Sequence, residues 1–388
     1  MSMRARVGLA IVGLAVAATA ALAVIGWPGR LYRDSDYMQY YAGSRALLEG
    51  ASPYDHAWWA EFHQRVESQA LSAPPRTGNA VIDWTTPYPL PTFVALLPFA
   101  VFPLRIAGPL FAAAQVALLV GAVLALAAAV LPRPRRDAGV ALALVASSQP
   151  FWVLIAGGNV TGFAAAACGL ALASLLTGRP RLAGALLAGC LVKPHLFAFV
   201  AIVLLVGAPR HARRRLVIGG LVGAAVLVVP AFILQPGWVG DWLREAGWLQ
   251  ETSASNATGW TIARPFVADF RLWSALLIGA CVAGFIAWWV RARPELSRLV
   301  AAALPVSVLI APHGWSYDYI ALVPSVVVGV AIASESARRI VGLLVLAVLV
   351  VLGPWTGYLV AFRRNGEDLS AWLLVAAEVL LITLARRR

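Results

Sequence analysis

Several side chains in this otherwise apolar sequence could do chemistry. Asp34 and Asp36 open a tyrosine-rich stretch, DSDYMQYYAGSRALLEGASPYD, over residues 34–55. A carboxylate at a membrane surface is a natural general base for a hydroxyl nucleophile when partial burial keeps its pKa near the working pH. Asp36, beside Tyr37 and ahead of the Tyr40-Tyr41 pair, is the first choice. Asp is also a good N-cap, so one of the two could instead start the helix expected after it. Both assignments stay open, Asp34 capping with Asp36 catalytic or the reverse.

Lys193 is the sole lysine of the chain, and it lies in an apolar run. A lone ammonium there needs an anion, either a phosphate or a buried carboxylate, unless it snorkels to the interface. His195 and His313 could donate to a phosphate oxygen or assist proton transfer, though a single histidine is as readily structural. Asn159 sits in a GGN turn and Asp318 in the polar turn PHGWSYDY, residues 312–319. Tyr41, Tyr88 and Arg264, at outer positions, complete the candidate substrate-binding set. Aromatic residues there can stack on sugar faces or form the usual interfacial belt.

The elements that must position these groups are membrane helices. Of the 388 residues 61% are hydrophobic and only 13% charged, with a mean hydropathy of +0.79, too apolar for a soluble domain. The formal net charge of +13 comes from arginines clustered in short turns between apolar runs. That is the positive-inside pattern, and it excludes a nucleic-acid surface. Cys168, Cys190 and Cys281 all lie in apolar segments without a pairing or metal signature. His56 and His63 lack matching zinc ligands.

About 20 apolar residues make one crossing. The run at residues 7–27 reads as an uncleaved first helix with its N-terminus inside. Residues 28–105 then form a large extracytoplasmic loop. Within it the proline-broken run at 87–103 predicts a juxtamembrane helix rather than a crossing. Full spans are expected at 106–131, 138–156 and 160–177. Residues 182–208 predict two half-helices meeting near Lys193-Pro194-His195, which keeps the arginine-rich turns on either side inside.

Spans at 216–234 and 272–290 flank a second extracytoplasmic loop, 235–270. Further segments follow at 299–311, 320–333, 340–360 and 369–385. Arg363 and Arg364 fall outside in this scheme, against the charge rule. The fold expected is an all-α polytopic bundle of about twelve membrane segments over residues 1–388, a single domain with both termini cytoplasmic. Asp34, Asp36, Asn159, Lys193, His195, His313 and Asp318 would gather on one outward-facing cavity. Glu378, inside the last segment, is expected to pair with another helix.

The ordered set DYMQYYAGSRALLEGASPYD, PYPLPTFVALLPFAVFP, GGNV, LVKP and PHGWSYDY resembles glycosyltransferase family 87, in sequence order over nearly the whole chain. That family holds polyprenol-phosphate-mannose-dependent α-mannosyltransferases of the GT-C superfamily. The resemblance implies a GT-C-like bundle in the cell membrane and inverting sugar transfer from a polyprenyl-phosphate donor. The acceptor would be a lipid or glycan hydroxyl on the extracytoplasmic face. The family's first-loop aspartate falls on Asp36, its lysine-proline segment on Lys193-Pro194 and its late histidine on His313. Where many relatives carry a glutamine in the middle turn, this chain has Gly158-Asn159. Neither a cofactor nor a metal is required by such chemistry. Two other readings compete. One is a transporter or flippase of lipid-linked sugars, which would favour intramembrane acids, repeats and a midplane site. The other is a membrane scaffold without turnover.

Overall fold

A computed structural model describes residues 36–69, 87–252, 257–336, 339–364 and 367–385. The predicted first helix and Asp34 lie outside the described residues. Every regular element among the described residues is helical. The described residues fall into two compact units, one built from those up to 117 with 155–160 and 225–252, the other from 118–154, 161–224 and the described residues from 257 on.

The first unit holds helices of the two expected extracytoplasmic loops. Helix α1, Asp36–Leu48, has eight buried residues, Tyr37, Met38, Tyr40, Tyr41, Ala42, Gly43, Ser44 and Ala46, so it is enclosed on most sides. It ends where Gly50 takes φ +74°, the left-handed turn that favours glycine. Helix α2, His56–Gln69, starts at Asp55, whose carboxylate accepts the Ala57 amide at 2.9 Å. The proline-rich run folds as α3, Leu90–Ala100, with Pro91 in its first turn, where the missing N–H costs no helical bond.

Helices α1 and α3 touch backbone to ring. The Ser44 hydroxyl donates to the Phe93 carbonyl at 3.0 Å, and a Cβ on Gly43 would meet the Phe93 ring at 2.5 Å. The Tyr41 hydroxyl donates to the Phe102 carbonyl just beyond α3, at 3.0 Å. Helix α4, Leu104–Val130, follows, its start in this unit and its remainder in the other.

The second loop contributes α11, Trp238–Thr252, and this loop closes on the first through contacts just before and within that helix. Ser52 donates to Gln235 at 3.1 Å, His56 lies 3.1 Å from Glu245, and the Trp242 indole donates to the Pro87 carbonyl at 3.0 Å.

In the second unit the intervening helices are α5, Pro134–Ser147; α6, Gln149–Gly157, whose last residues fall in the first unit; α7, Thr161–Leu176; α8, Pro180–Leu187; α9, Pro194–Gly207; and α10, Arg210–Leu234, whose residues from 225 on fall in the first unit. After α11 come α12, Phe270–Ala292; α13, Leu296–Ile310; α14, Val323–Glu335; α15, Arg339–Ala347; α16, Gly353–Arg364; and α17, Trp372–Ala385. Helices α13 and α14 are the core, buried on every side from Leu299 to Leu309 and from Val323 to Ala333. A helix apolar all round belongs inside.

Five described helices are long and apolar enough to cross a membrane: Ile106–Val130, Arg210–Leu234, Phe270–Ala292, Ser316–Glu335 and Arg339–Ala361. A sixth is the expected span at 138–156, which instead bends by 59° between α5 and α6. Ser148 is extended there, φ −79° and ψ 145°, and Pro150 in the next turn cannot donate back across the break. The remaining apolar helices, α7, α9 and α13 among them, are shorter. The two short helices expected to meet near Lys193 are present. Helix α8 and a 3₁₀ turn, Ala188–Val192, end at Lys193 with φ −146° and ψ 65°, and Pro194 opens α9. A residue before proline is pushed out of the helical region, which is why the break falls at Lys193.

Candidate active site

In the first unit the polar centre is Asp36 at the start of α1. The Asn159 amide donates to its Oδ2 at 2.6 Å, a contact bridging 123 positions of sequence. Asn159 is fully buried and Asp36 is half-buried. The turn that delivers Asn159 depends on Gly158, which sits at φ +65° with its α-carbon against Tyr37. A Cβ there would lie 2.4 Å from the Tyr37 Cβ. A hydrogen bond from an amide to a carboxylate both orients the acid and favours its charged form.

Replacing Asn159 by Ala is expected to lower turnover about 10- to 100-fold with the fold intact. A hydrogen bond to a charged group is worth roughly 1.5–3 kcal/mol, and each 1.36 kcal/mol is tenfold in rate. Steady-state kinetics together with circular dichroism of the variant check this.

The aromatic residues around Asp36 are packed tightly. Tyr40, one helical turn on, is fully buried with its ring 4.6 Å from that of Tyr88 and 6.4 Å from Phe111. Its hydroxyl lies beside Tyr88, the Val160 amide and the Asp36 carboxylate, but none of these contacts reaches hydrogen-bond geometry. Burial, with the nearby Tyr88 and Asp36, keeps that phenol well above its usual pKa. Tyr41 is engaged with Phe102, and the backbone of Tyr88 accepts the Tyr54 hydroxyl at 2.8 Å.

The second unit assembles Lys193, His195, His313 and Asp318. The Lys193 ammonium donates to Asp318 Oδ1 at 2.5 Å and to the Thr161 hydroxyl at 3.0 Å, and lies 5.4 Å from the Tyr317 ring centre. Thr161 donates to the same Asp318 oxygen at 2.6 Å, and the Trp315 amide donates to Oδ2 at 3.0 Å. Lys193 is 4% exposed and Asp318 is fully buried. Of the two anions open to Lys193 in the sequence, the buried carboxylate is the one it meets.

The polar turn carrying His313 is held from a second side. Ser316 donates through its amide at 2.6 Å and its hydroxyl at 3.2 Å to Glu367, and accepts from the fully buried Gln149 at 3.1 Å. Burial raises the Glu367 pKa against the opposing bonds from Ser316. His195 opens α9, and its buried Nε2 meets no hydrogen-bond partner.

His313 is half-buried against Trp315, ring centres 5.7 Å apart. Burial, aided by Lys193 and opposed by Asp318, lowers its pKa from 6.5 to about 4. The imidazole is therefore neutral over the physiological range. With a folded pKa below the unfolded one, the unfolded chain binds the extra proton between about pH 6.5 and 4. This group's stabilisation is thus complete above pH 6.5 and is lost as pH falls toward 4. Melting temperature measured across that window should fall less steeply for His313→Gln than for the wild type.

Arg264 is exposed, its guanidinium 3.8 Å from Asp368. Glu378 is 3% exposed and faces the Cys281 thiol, a contact between α17 and α12 that meets the expectation of a helix partner. Among the described residues no three His, Cys, Asp or Glu side chains are grouped as a metal would need.

The profile of glycosyltransferase family 87 matches residues 84–312, more than half of the chain. The chain belongs to glycosyltransferase family 87. The family match includes Asn159, Lys193 and His195 and stops before His313, while Asp36 precedes it. No curated protein matches the chain. Among solved structures, one similar to this family 87 chain is ArnT from Cupriavidus metallidurans bound to undecaprenyl phosphate. It is 20% identical with a TM-score of 0.45, over 77% of this chain and 66% of that one. The chain thus spans just under two thirds of that protein's length.

Signals for three of these groups were weak in the sequence. Asp318 was visible as a polar residue of the late turn but not as the partner of Lys193. Thr161 and Glu367 carried no mark beyond their polarity.

Proposed function

We propose that this family 87 glycosyltransferase moves a sugar, mannose in the first instance, from a polyprenyl-phosphate donor to a lipid or glycan hydroxyl. Transfer takes place on the extracytoplasmic side of the cell membrane, with inversion. Asp36 removes the acceptor proton as the hydroxyl attacks the anomeric carbon, and the lipid phosphate leaves from the opposite face. His313 and His195 are assigned to the departing phosphate as hydrogen-bond donors, and the step needs no resident cofactor or divalent ion. Tyr41, Tyr88 and Arg264 are assigned to the sugar and the acceptor, and Asp34 is the alternative base.

The observation that carries this reading is the 2.6 Å contact from buried Asn159 to Asp36, built on a left-handed glycine. A helix cap needs no such distant partner, whereas a base does need its carboxylate fixed. Family membership supports the reaction class, and the resemblance of the ordered motifs supports the lipid-phosphate donor. Transport of a lipid-linked sugar is the second reading, favoured by Glu378 buried within an apolar helix.

Membranes from cells expressing the protein, supplied with polyprenyl-phosphate-linked mannose or arabinose, test the proposal. Label from one of these donors should reach a lipid or glycan acceptor only when the protein is present. Failure with every lipid-phosphate donor would refute the donor class.

A further inference from the structure

Lys193 carries the one ammonium in the second unit that a lipid phosphate would be expected to seek, but it is already neutralised. Asp318 Oδ1 at 2.5 Å, Thr161 at 3.0 Å and the Tyr317 ring at 5.4 Å are among the neighbours of this side chain, which is 4% exposed. Asp318 in turn accepts from Lys193, Thr161 and the Trp315 amide, so one carboxylate joins the break before α9, the start of α7 and the turn bearing His313. A buried ion pair of this kind contributes little net stability, and removing one partner leaves an uncompensated charge in a medium that cannot solvate it. Its use is to fix geometry.

Resting on the glycosyl-transfer reading above, we propose that Asp318 and Lys193 are positioning residues. The pair holds the His313 turn, and the phosphate is met by neutral imidazole rather than by the Lys193 ammonium. Asp318→Asn is the informative change, because the amide oxygen can still accept from Trp315 while the counter-charge is gone. The freed ammonium then becomes available to an anion. Lipid phosphate should bind more tightly while turnover drops, a split that a purely structural defect would not produce.

The test compares Lys193→Met, Asp318→Asn and the double variant by melting temperature in detergent, by binding of polyprenyl phosphate, and by turnover. Each single change should lower the melting temperature by roughly 5–10 °C, and the double variant should recover at least about half of the summed loss. The double variant should bind polyprenyl phosphate within about threefold of wild type. Asp318→Asn should bind it at least about threefold more tightly and turn over at least about tenfold more slowly.

Additive melting losses would show that the pair is not coupled. Binding weakened about tenfold or more in the double variant would show that Lys193 itself meets the phosphate. Either result overturns the proposal. If the wild type binds no polyprenyl phosphate, the donor assignment above fails. The melting cycle, which needs no substrate, still decides whether the two residues act as a pair.

Discussion

Asp36→Asn is expected to lower turnover by about a thousandfold, near the middle of the range that a positioned general base contributes. Asn is nearly isosteric with Asp, and its carbonyl oxygen can still accept from Asn159 Nδ2, so the contact at the head of α1 survives without its charge. Stability should change by only about 0.5 kcal/mol, as for substitutions that break no packing. The loss should fall on kcat and leave the donor KM nearly unchanged, because the base acts on the acceptor proton only as the bond forms. If Asp36 were only a helix cap, Asn would cap as well as Asp and activity would persist. The same substitution at position 34, measured in parallel, separates the two carboxylates.

The second large effect belongs to a residue without a side chain. Gly158→Ala places a Cβ 2.4 Å from the Tyr37 Cβ and 3.4 Å from its Cα, and Tyr37 is itself 3% exposed and packed 4.6 Å from the Phe111 ring. The clash is with the root of a buried side chain, which has no rotamer that relieves it. Overpacking costs about 1–3 kcal/mol. The left-handed backbone, φ +65°, adds roughly 1–2 kcal/mol for any residue with a Cβ.

The turn can relieve the strain only by moving away from α1, and that draws Asn159 off Asp36. Gly158→Ala should therefore lose both stability and activity, read by thermal unfolding and by turnover. Gly157→Ala is the control. Its added Cβ meets nothing within 4 Å, so both quantities should stay near wild type.

The parts of the fold that could be read from sequence are those fixed by local chemistry. The break at Lys193 follows from Pro194, the juxtamembrane helix α3 from its proline pattern, and the spans expected at 106–131 and 216–234 from length and apolarity, although the second helix starts earlier, at Arg210, and takes in the arginine cluster. The bend at Ser148 escaped a hydropathy reading because apolar character continues across it. Only Pro150 marked it.

The pairings were illegible because they are remote in sequence. Asn159 reaches Asp36 across 123 positions, Lys193 reaches Asp318 across 125, and His56 reaches Glu245 across 189. Residue type signalled that Lys193 needed an anion. Which anion it meets depends on how α7, α9 and the late turn pack, and no local period encodes that. The outer tyrosines divide for the same reason. Tyr41 and Tyr88 were candidates by position, yet Tyr41 ties α1 to the end of α3. Tyr40, which no motif distinguished from its neighbour, has the hydroxyl beside Asp36.

Sugar transfer and lipid transport make opposite predictions in one vesicle experiment. Purified protein is reconstituted with polyprenyl-phosphate-mannose labelled in both the sugar and the lipid, together with a lipid acceptor. The fate of each label is followed for the wild type and for Asp36→Asn. The account predicts one polyprenyl phosphate released for each sugar joined to the acceptor, with inverted anomeric configuration, and little release by the variant. Label that crosses the bilayer with sugar and lipid still joined, at equal rates in both proteins, would contradict it.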